Sequence, residues 1–296
     1  MSAEIIDGKQ VAAEIRLELA KELAQLKADS GIVPGLAVIL LGEDPASKSY
    51  VSAKEKACAE IGIYSDDNRL PAETSEAELL ALIEQLNQDD RIHGILVQLP
   101  LPRHINEAAV INAISPEKDV DGFHPVNLGR MMIGEKSFLP CTPHGVLQLL
   151  QRKNVPIAGA EVVIVGRSNI VGKPLANIMM QKSDMGNATV TVCHTRSRDL
   201  AAHTRRADIL IAAAGRPNTI SADMVREGAV VIDVGVNRVE DPSAKRGYRL
   251  VGDVDYEAVK EKAAMITPVP GGVGPMTITM LLHNTVQAAK AKATVK

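Results

Sequence analysis

Glu161-Val-Val-Ile-Val165-Gly166-Arg-Ser-Asn-Ile-Val-Gly172-Lys-Pro174 is the stretch on which the fold turns. Four β-branched aliphatic residues run into a glycine, and a second glycine precedes an apolar segment opened by proline. The apolar run reads as a strand buried on both faces. Pro174 suits the first turn of a helix, where its missing N–H costs nothing. A strand that turns through glycine into a helix directs backbone N–H groups at one position, which can hold an anion. Ser168 stands where the usual dinucleotide fingerprint has its second glycine, and the loop is not a P-loop because Lys173 is followed by Pro174. Nucleotide binding and a plain strand-to-helix turn both fit this loop on its own.

The same alternation extends outward. Downstream it predicts a strand at Thr189–Cys193, a helix at Asp199–Thr204, and strands at Asp208–Ala213 and Ala229–Val234. Upstream, Val11, Ile15, Leu19, Leu23 and Leu26 form a helical stripe over residues 10–27. Gly35–Leu41 is an apolar strand. Asp44-Pro45 reads as an N-cap and first turn of a helix running to Ile61, with Gly62 past its end. A strand near Ile63–Leu70, a helix over Thr74–Leu86, a strand at His93–Gln98 and a helix over Asn106–Ile114 follow. Residues 115–143, rich in Gly, Pro, Asn and Met, read as a connection. Helices are expected at Thr142–Lys153, Pro174–Met180 and Pro275–Lys290, with residues 290–296 frayed. Repeated strand–helix–strand units predict an α/β protein with a doubly wound parallel sheet. At ~150 residues per domain, 296 residues suggest two domains.

Composition limits the chemistry. Two Phe, four Tyr and no Trp force an aliphatic core and leave few platforms for stacking on nucleic-acid bases. The net charge of −3 gives no general attraction to nucleic acid or anionic membrane. Three widely spaced cysteines form neither a disulfide framework nor a zinc motif, as expected of a reduced, cytoplasmic setting. The first ten residues lack the apolar core of a signal peptide. Apolar runs such as Leu36–Leu41 and Ile209–Ala214 are far short of the ~20 residues of a membrane span. No metal site is expected, because no histidine pair has helical spacing and Asp119 and Asp121 lack the other ligands of a calcium loop.

Several positions could carry chemistry. After Cys193 comes His194-Thr195-Arg196-Ser197-Arg198, with no acid until Asp199; hydroxyl and guanidinium groups suit a ribose bearing an extra phosphate, NADP over NAD. Tyr50 and Lys54 share one helical face. Gln98 ends an apolar strand at the carboxyl edge where sites of parallel sheets collect. Asp119 and Asp121 could be turn acids. In Pro270-Gly-Gly-Val-Gly-Pro275, prolines stiffen a loop whose glycines permit close backbone approach.

These segments together resemble the bifunctional methylenetetrahydrofolate dehydrogenase/methenyltetrahydrofolate cyclohydrolase family. The resemblance rests on Asp44–Gly62, Gly94–Pro102, Pro116–Arg130, Pro140-Cys-Thr-Pro143, Gly166–Pro174 and Pro270–Thr277, in the family's order and spacing. It implies NADP-dependent oxidation of 5,10-methylenetetrahydrofolate and hydrolysis of the methenyl product to 10-formyltetrahydrofolate, in one-carbon metabolism and purine biosynthesis. It implies a folate-binding catalytic domain from residues 1–140 and 275–296, a smaller α/β domain completed by the last helix. Residues 141–274 would be a Rossmann-like NADP-binding domain, and the protein a cytoplasmic homodimer.

By the same resemblance Lys54 is the catalytic lysine, Gln98 orients it, Tyr50 stacks on the aminobenzoate ring and Asp121 pairs with the pterin's N–H groups. Val97, Leu99, Pro270, Gly271 and Gly272 complete the substrate contacts. Gly166, Arg167, Ser168, Thr195, Arg196, Ile232 and Gly274 belong to the cofactor site, although family members usually carry serine where this chain has Thr195. Lys54 could act either as a base of lowered pKa or as a charged stabiliser of oxygen. A monofunctional NAD(P)-dependent dehydrogenase, of this or a shikimate-dehydrogenase-like fold, and a dinucleotide sensor without catalysis are the competing readings.

Overall fold

The computed structural model describes residues 2–244 and 247–294. The chain divides into two compact units. One holds Ala13–Cys141 and the stretch from Ile278 onward; the other holds the first dozen residues and Thr142–Thr277.

In the first unit, a three-stranded parallel sheet has Gly35–Leu41 at its centre, flanked by Tyr64–Leu70 and Gly94–Val97. All seven residues of the central strand are buried, whereas the outer Tyr64–Leu70 alternates in exposure, as a polar edge strand does. The helix Gly8–Ser30 buries the stripe expected of it: Val11, Ile15, Leu19, Leu23 and Leu26 are all in the core. Pro45–Ile61 is capped by the Asp44 side chain and ends at Gly62 in the left-handed region, at φ 88°. Ser75 and Glu78 close a reciprocal capping box on Glu76–Gln88. Leu79, Ile83 and Leu86 of that helix pack with Ile39, Ile95 and Val97 of the sheet.

The second unit is built on a six-stranded parallel sheet in the order Glu4–Ile5, Met265–Ile266, Val230–Asp233, Ile209–Ala212, Glu161–Val165, Thr189–Cys193. Its chain crosses from one side of Glu161–Val165 to the other after Thr189–Cys193, the doubly wound, Rossmann-like arrangement. The opening stretch behaves as read: Glu161–Val165 is a buried strand and Gly172–Met180 a helix. Val163, Val165, Leu210, Val231 and Ile266 share one core cluster.

Sequence patterning missed some elements. Pro125–Met132, inside the supposed connection, is a helix capped by the His124 side chain. Asn237–Glu240 and Tyr248–Val251 form an antiparallel pair. Glu4–Ile5 and Met265–Ile266 are only two residues long, too short for a periodic signal. The last helix, Val273–Thr294, begins earlier than read and continues through the segment expected to fray, whose residues 295 and 296 lie outside those described.

Candidate active site

Both sheets bring their strands' carboxyl ends to a point where the chain reverses direction across the sheet. At such a point the loops diverge and open a crevice.

In the three-stranded sheet that point lies between the ends of Gly35–Leu41 and Gly94–Val97. The helix Pro45–Ile61 follows the first strand and carries Lys54, which is only 4% exposed. Gln98 follows the second. The Lys54 ammonium nitrogen donates to Gln98 Oε1 at 3.0 Å, and Gln98 Nε2 donates to the Leu99 carbonyl at 2.7 Å. The second bond fixes which end of the amide faces the lysine. Lys54 Nζ also lies 4.8 Å from the centre of the half-buried Tyr50 ring, one helical turn back.

Asp121 reaches the same place from a third segment. Residues 118–120 dock on the strand Gly94–Val97: Ile95 N donates to the Lys118 carbonyl at 2.8 Å, and Ile95 bridges Asp119. Gly94 makes this possible, since a Cβ there would stand 2.7 Å from the methyls of Val120. The two acids then part in role. Asp119, 2% exposed, accepts from the backbone N–H groups of Phe123 and His124 and from Asn127 Nδ2. It is a turn acid, and burial raises its pKa to about 6 despite these donors. Asp121 instead faces Lys54. Both acids line a small cleft with Val97, Leu99, Ile111 and Phe123.

The electrostatics of the cluster are set by burial. Desolvation lowers the Lys54 pKa from its ordinary 10.5, and the opposing pull of Asp121 does not restore it. Burial raises the Asp121 pKa, with Lys54 holding it back. The Cys141 thiol, which the sequence did not mark as part of the site, donates to the Val120 carbonyl at 3.3 Å and stays protonated, because burial and the nearby Asp121 raise its pKa well above 9.0. Its only sequence signal was the Pro140-Cys-Thr-Pro143 match.

In the six-stranded sheet the reversal lies between Glu161–Val165 and Ile209–Ala212. Gly166 sits there at φ 146°, and a Cβ would fall 2.1 Å from the Ala213 carbonyl oxygen. Gly172 closes the loop on itself: its Cβ would lie 2.2 Å from the Gly166 oxygen. Both glycines are required by backbone approach alone. Arg167 and Ser168 are exposed; the Ser168 hydroxyl oxygen accepts from Val171 N at 3.1 Å, within the loop. Beyond Cys193, Ser197 folds the turn, its hydroxyl accepting from His194 N at 2.9 Å, and Thr195 and Arg196 are exposed at the tip. Asp199 is spent as the cap of Leu200–Thr204. Ile232 is fully buried within its strand, so its side chain is part of the sheet interior. Gly271 lies at φ 111° and Gly272 packs its backbone against Gly8, where a Cβ would stand 1.8 Å from the Gly272 oxygen. Gly274, by contrast, has open space around its Cβ position.

A second feature escaped the sequence reading. The Asp253 carboxylate accepts from three successive N–H groups, Ala214, Gly215 and Arg216, at 2.6–2.9 Å, and from Asn237 Nδ2. Asp233 in turn accepts from the N–H groups of Gly235, Asp253 and Val254. These acids shape the loops beside the strand ends. Their signal is two short acid–glycine pairings, Asp233-Val-Gly235 and Gly252-Asp253. Among the described residues no cluster of His, Cys, Asp and Glu could hold a metal, and no helix is long and apolar enough to cross a membrane.

Residues 6–121 match the family profile for the tetrahydrofolate dehydrogenase/cyclohydrolase catalytic domain, and residues 140–293 that for the family's NAD(P)-binding domain. A bifunctional protein FolD of Exiguobacterium sibiricum is 64% identical over 97% of this chain and its own full length. The solved bifunctional FolD of Campylobacter jejuni is 50% identical, with a TM-score of 0.92 over 98% of this chain and all of the other. A Trypanosoma brucei FolD, solved with NADP and an inhibitor, gives 42% and 0.93 over 99% of each chain. The likeness to a shikimate dehydrogenase of Thermus thermophilus, at 15% and 0.52, is one of fold alone. With both profiles matched and relatives alike from end to end, the chain belongs to the tetrahydrofolate dehydrogenase/cyclohydrolase family.

Proposed function

We propose that this chain catalyses both reactions of its family: NADP-dependent oxidation of 5,10-methylenetetrahydrofolate, and hydrolysis of the resulting methenyl compound to 10-formyltetrahydrofolate. The observation that carries the reading is a lysine of lowered pKa, nearly inaccessible, hydrogen-bonded to Gln98 and facing Asp121. A monofunctional dehydrogenase has no use for a buried proton acceptor at that place.

The folate chemistry is assigned to the unit of the three-stranded sheet and the dinucleotide to the other. The residues fit NADP. Gly166 removes any side chain from the sheet's reversal point, and Thr195 and Arg196 are exposed at the loop tip, where the Asp199 side chain accepts from Ala202 N. Arg196 can pair with a ribose phosphate, and Arg167, Ser168 and Gly274 with the rest of the cofactor. Bound NADP supplies the hydride acceptor. The cation left on the folate is stabilised by its own two nitrogens, so the protein's part in that step is positioning. Asp121 accepts hydrogen bonds from the pterin, Tyr50 stacks on the aminobenzoate ring, and Val97 and Leu99 line the cleft.

Hydrolysis needs more. Water adds to the cationic carbon, neutral Lys54 takes its proton, and the bond to N5 breaks as the remaining hydroxyl proton moves to N5. Gln98 holds the Lys54 nitrogen in line. Because the neutral amine is the active form, hydrolysis rises with pH through the lowered Lys54 pKa, in a window below 10.5.

A coupled spectroscopic assay tests the function. Given methylenetetrahydrofolate and NADP, the protein is expected to form the methenyl chromophore and then consume it; no signal with NADP or NAD overturns the reading. We also propose that the protein is cytoplasmic and works as a homodimer, which sedimentation equilibrium checks by giving twice the chain's 31.6 kDa mass.

A further inference from the structure

We infer that Asn284, on the last helix, is a positioning residue for the folate site: it holds the peptide of Asp121 in place. Asn284 is 3% exposed and lies more than 160 residues from Asp121 in the chain. Its Nδ2 group donates to the Val120 carbonyl at 2.8 Å and to the Leu139 carbonyl at 3.0 Å, and approaches Cys141 Sγ at 3.8 Å. One side-chain amide therefore ties together the residue before Asp121 and the residue two before Cys141. The two backbones are in contact at that place. Gly122, at φ 77°, has no room for a side chain, since a Cβ would lie 2.6 Å from Pro140 N and 2.7 Å from the Leu139 carbonyl carbon. The Cys141 thiol donates to the same Val120 oxygen. Asp121 thus stands on a carbonyl with two donors, one of them from the terminal helix.

This arrangement has a consequence for chemistry. Both protons of an amide NH2 are fixed by two acceptors, so Asn284 sets the distance between the 120–122 turn and the 139–141 segment. Removing it leaves the Leu139 carbonyl buried without that donor, and the turn bearing Asp121 free to shift relative to Lys54. Misplacement of a binding carboxylate by a fraction of an ångström weakens ligand contacts far more than it weakens the fold.

The inference rests on the reading of Asp121 as the folate-recognition acid, and the test separates the two. Steady-state kinetics are measured for Asn284→Ala, Asn284→Ser, Asp121→Asn and Thr285→Val. Thr285 is the buried neighbour whose hydroxyl only serves the Leu281 carbonyl within its own helix. Asn284→Ala is expected to raise the KM for methylenetetrahydrofolate about tenfold with the KM for NADP unchanged, a loss of ~1.4 kcal/mol of folate binding. Asn284→Ser, which keeps one donor, should lie between it and the wild type, and carries the test if the alanine variant does not fold. Thr285→Val should lower thermal stability and leave both KM values in place. A folate KM unmoved in Asn284→Ser and Asn284→Ala, or a shift no larger than that of Thr285→Val, overturns the inference while Asp121→Asn still raises it. If Asp121→Asn leaves the folate KM unchanged, it is the reading of Asp121 that falls.

Discussion

The two sheets of this chain solve one topological problem with different materials. In each, one strand, Gly35–Leu41 or Glu161–Val165, has the next strand of the chain on one side and the one after that on the other, and each has its crevice where the chain reverses. At the three-stranded sheet the crevice is furnished with side chains from separate segments: Lys54, Gln98, Asp121 and Cys141. At the six-stranded sheet it is furnished mainly with backbone, through Gly166 and Gly172, and with exposed polar side chains at the loop tips. The difference matches the two tasks. Proton transfer needs a group whose pKa burial can move. Holding a charged cofactor needs amide groups and cations that reach it without obstruction. On the assignment proposed above, proton transfer and cofactor binding rest on separate structural foundations, and oxidation draws on both.

That separation can be broken from either side. The largest expected effect is from Gly166→Val. A side chain there collides with the Ala213 carbonyl and must adopt a left-handed φ, at a cost of about 3 kcal/mol or more. NADP-dependent oxidation should be lost, while hydrolysis of supplied methenyltetrahydrofolate persists in whatever fraction folds; equal loss of both, per folded molecule, would join the two sites. Next, Arg196→Glu should raise the KM for NADP about tenfold or more, the scale of a charge-assisted hydrogen bond, and leave hydrolysis unchanged. A matching rise in the KM for folate would remove Arg196 from the cofactor site. The smallest effect concerns stability alone. Asp119 has a folded pKa of about 6, above its ordinary 3.8, so the native state binds more protons between those values. Its contribution is fully present below pH 3.8 and is lost as pH rises through about 6. Denaturant midpoints measured at pH 4.5 and 7 should therefore differ less in Asp119→Asn than in the wild type; an unaltered difference would mean that Asp119 titrates normally.

The same contrast explains what the sequence made legible. The glycine loop could be located because glycine and proline punctuate the chain locally, and Glu161–Val165 and Gly35–Leu41 announce themselves as unbroken apolar runs. The stripe of Val11 to Leu26 gave its helix for the same reason. The helix Pro125–Met132 did not, since Pro125, Asn127 and Gly129 are poor helix formers and the His124 cap and tertiary packing decide its conformation. The cluster around Lys54 is harder still. Lys54 and Gln98 are 44 residues apart, and nothing in their spacing predicts a 3.0 Å contact. Asp119 and Asp121 look alike in the sequence; only the donors from Phe123, His124 and Asn127 show that the first is occupied. Lys54, Gln98 and Asp121 were singled out together through resemblance, and their geometry supplied the physical reason. Asp199 shows the reverse: an acid beside the proposed cofactor residues whose side chain caps Leu200–Thr204.

The central claim is that hydrolysis depends on the buried amine of Lys54. Its most direct test supplies methenyltetrahydrofolate, without dinucleotide, to wild type and Lys54→Ala and follows decay of the methenyl absorbance. Wild type is expected to accelerate the decay, increasingly so as pH rises through the lowered lysine pKa, and Lys54→Ala to leave it at the spontaneous rate. Undiminished hydrolysis by Lys54→Ala would contradict the account.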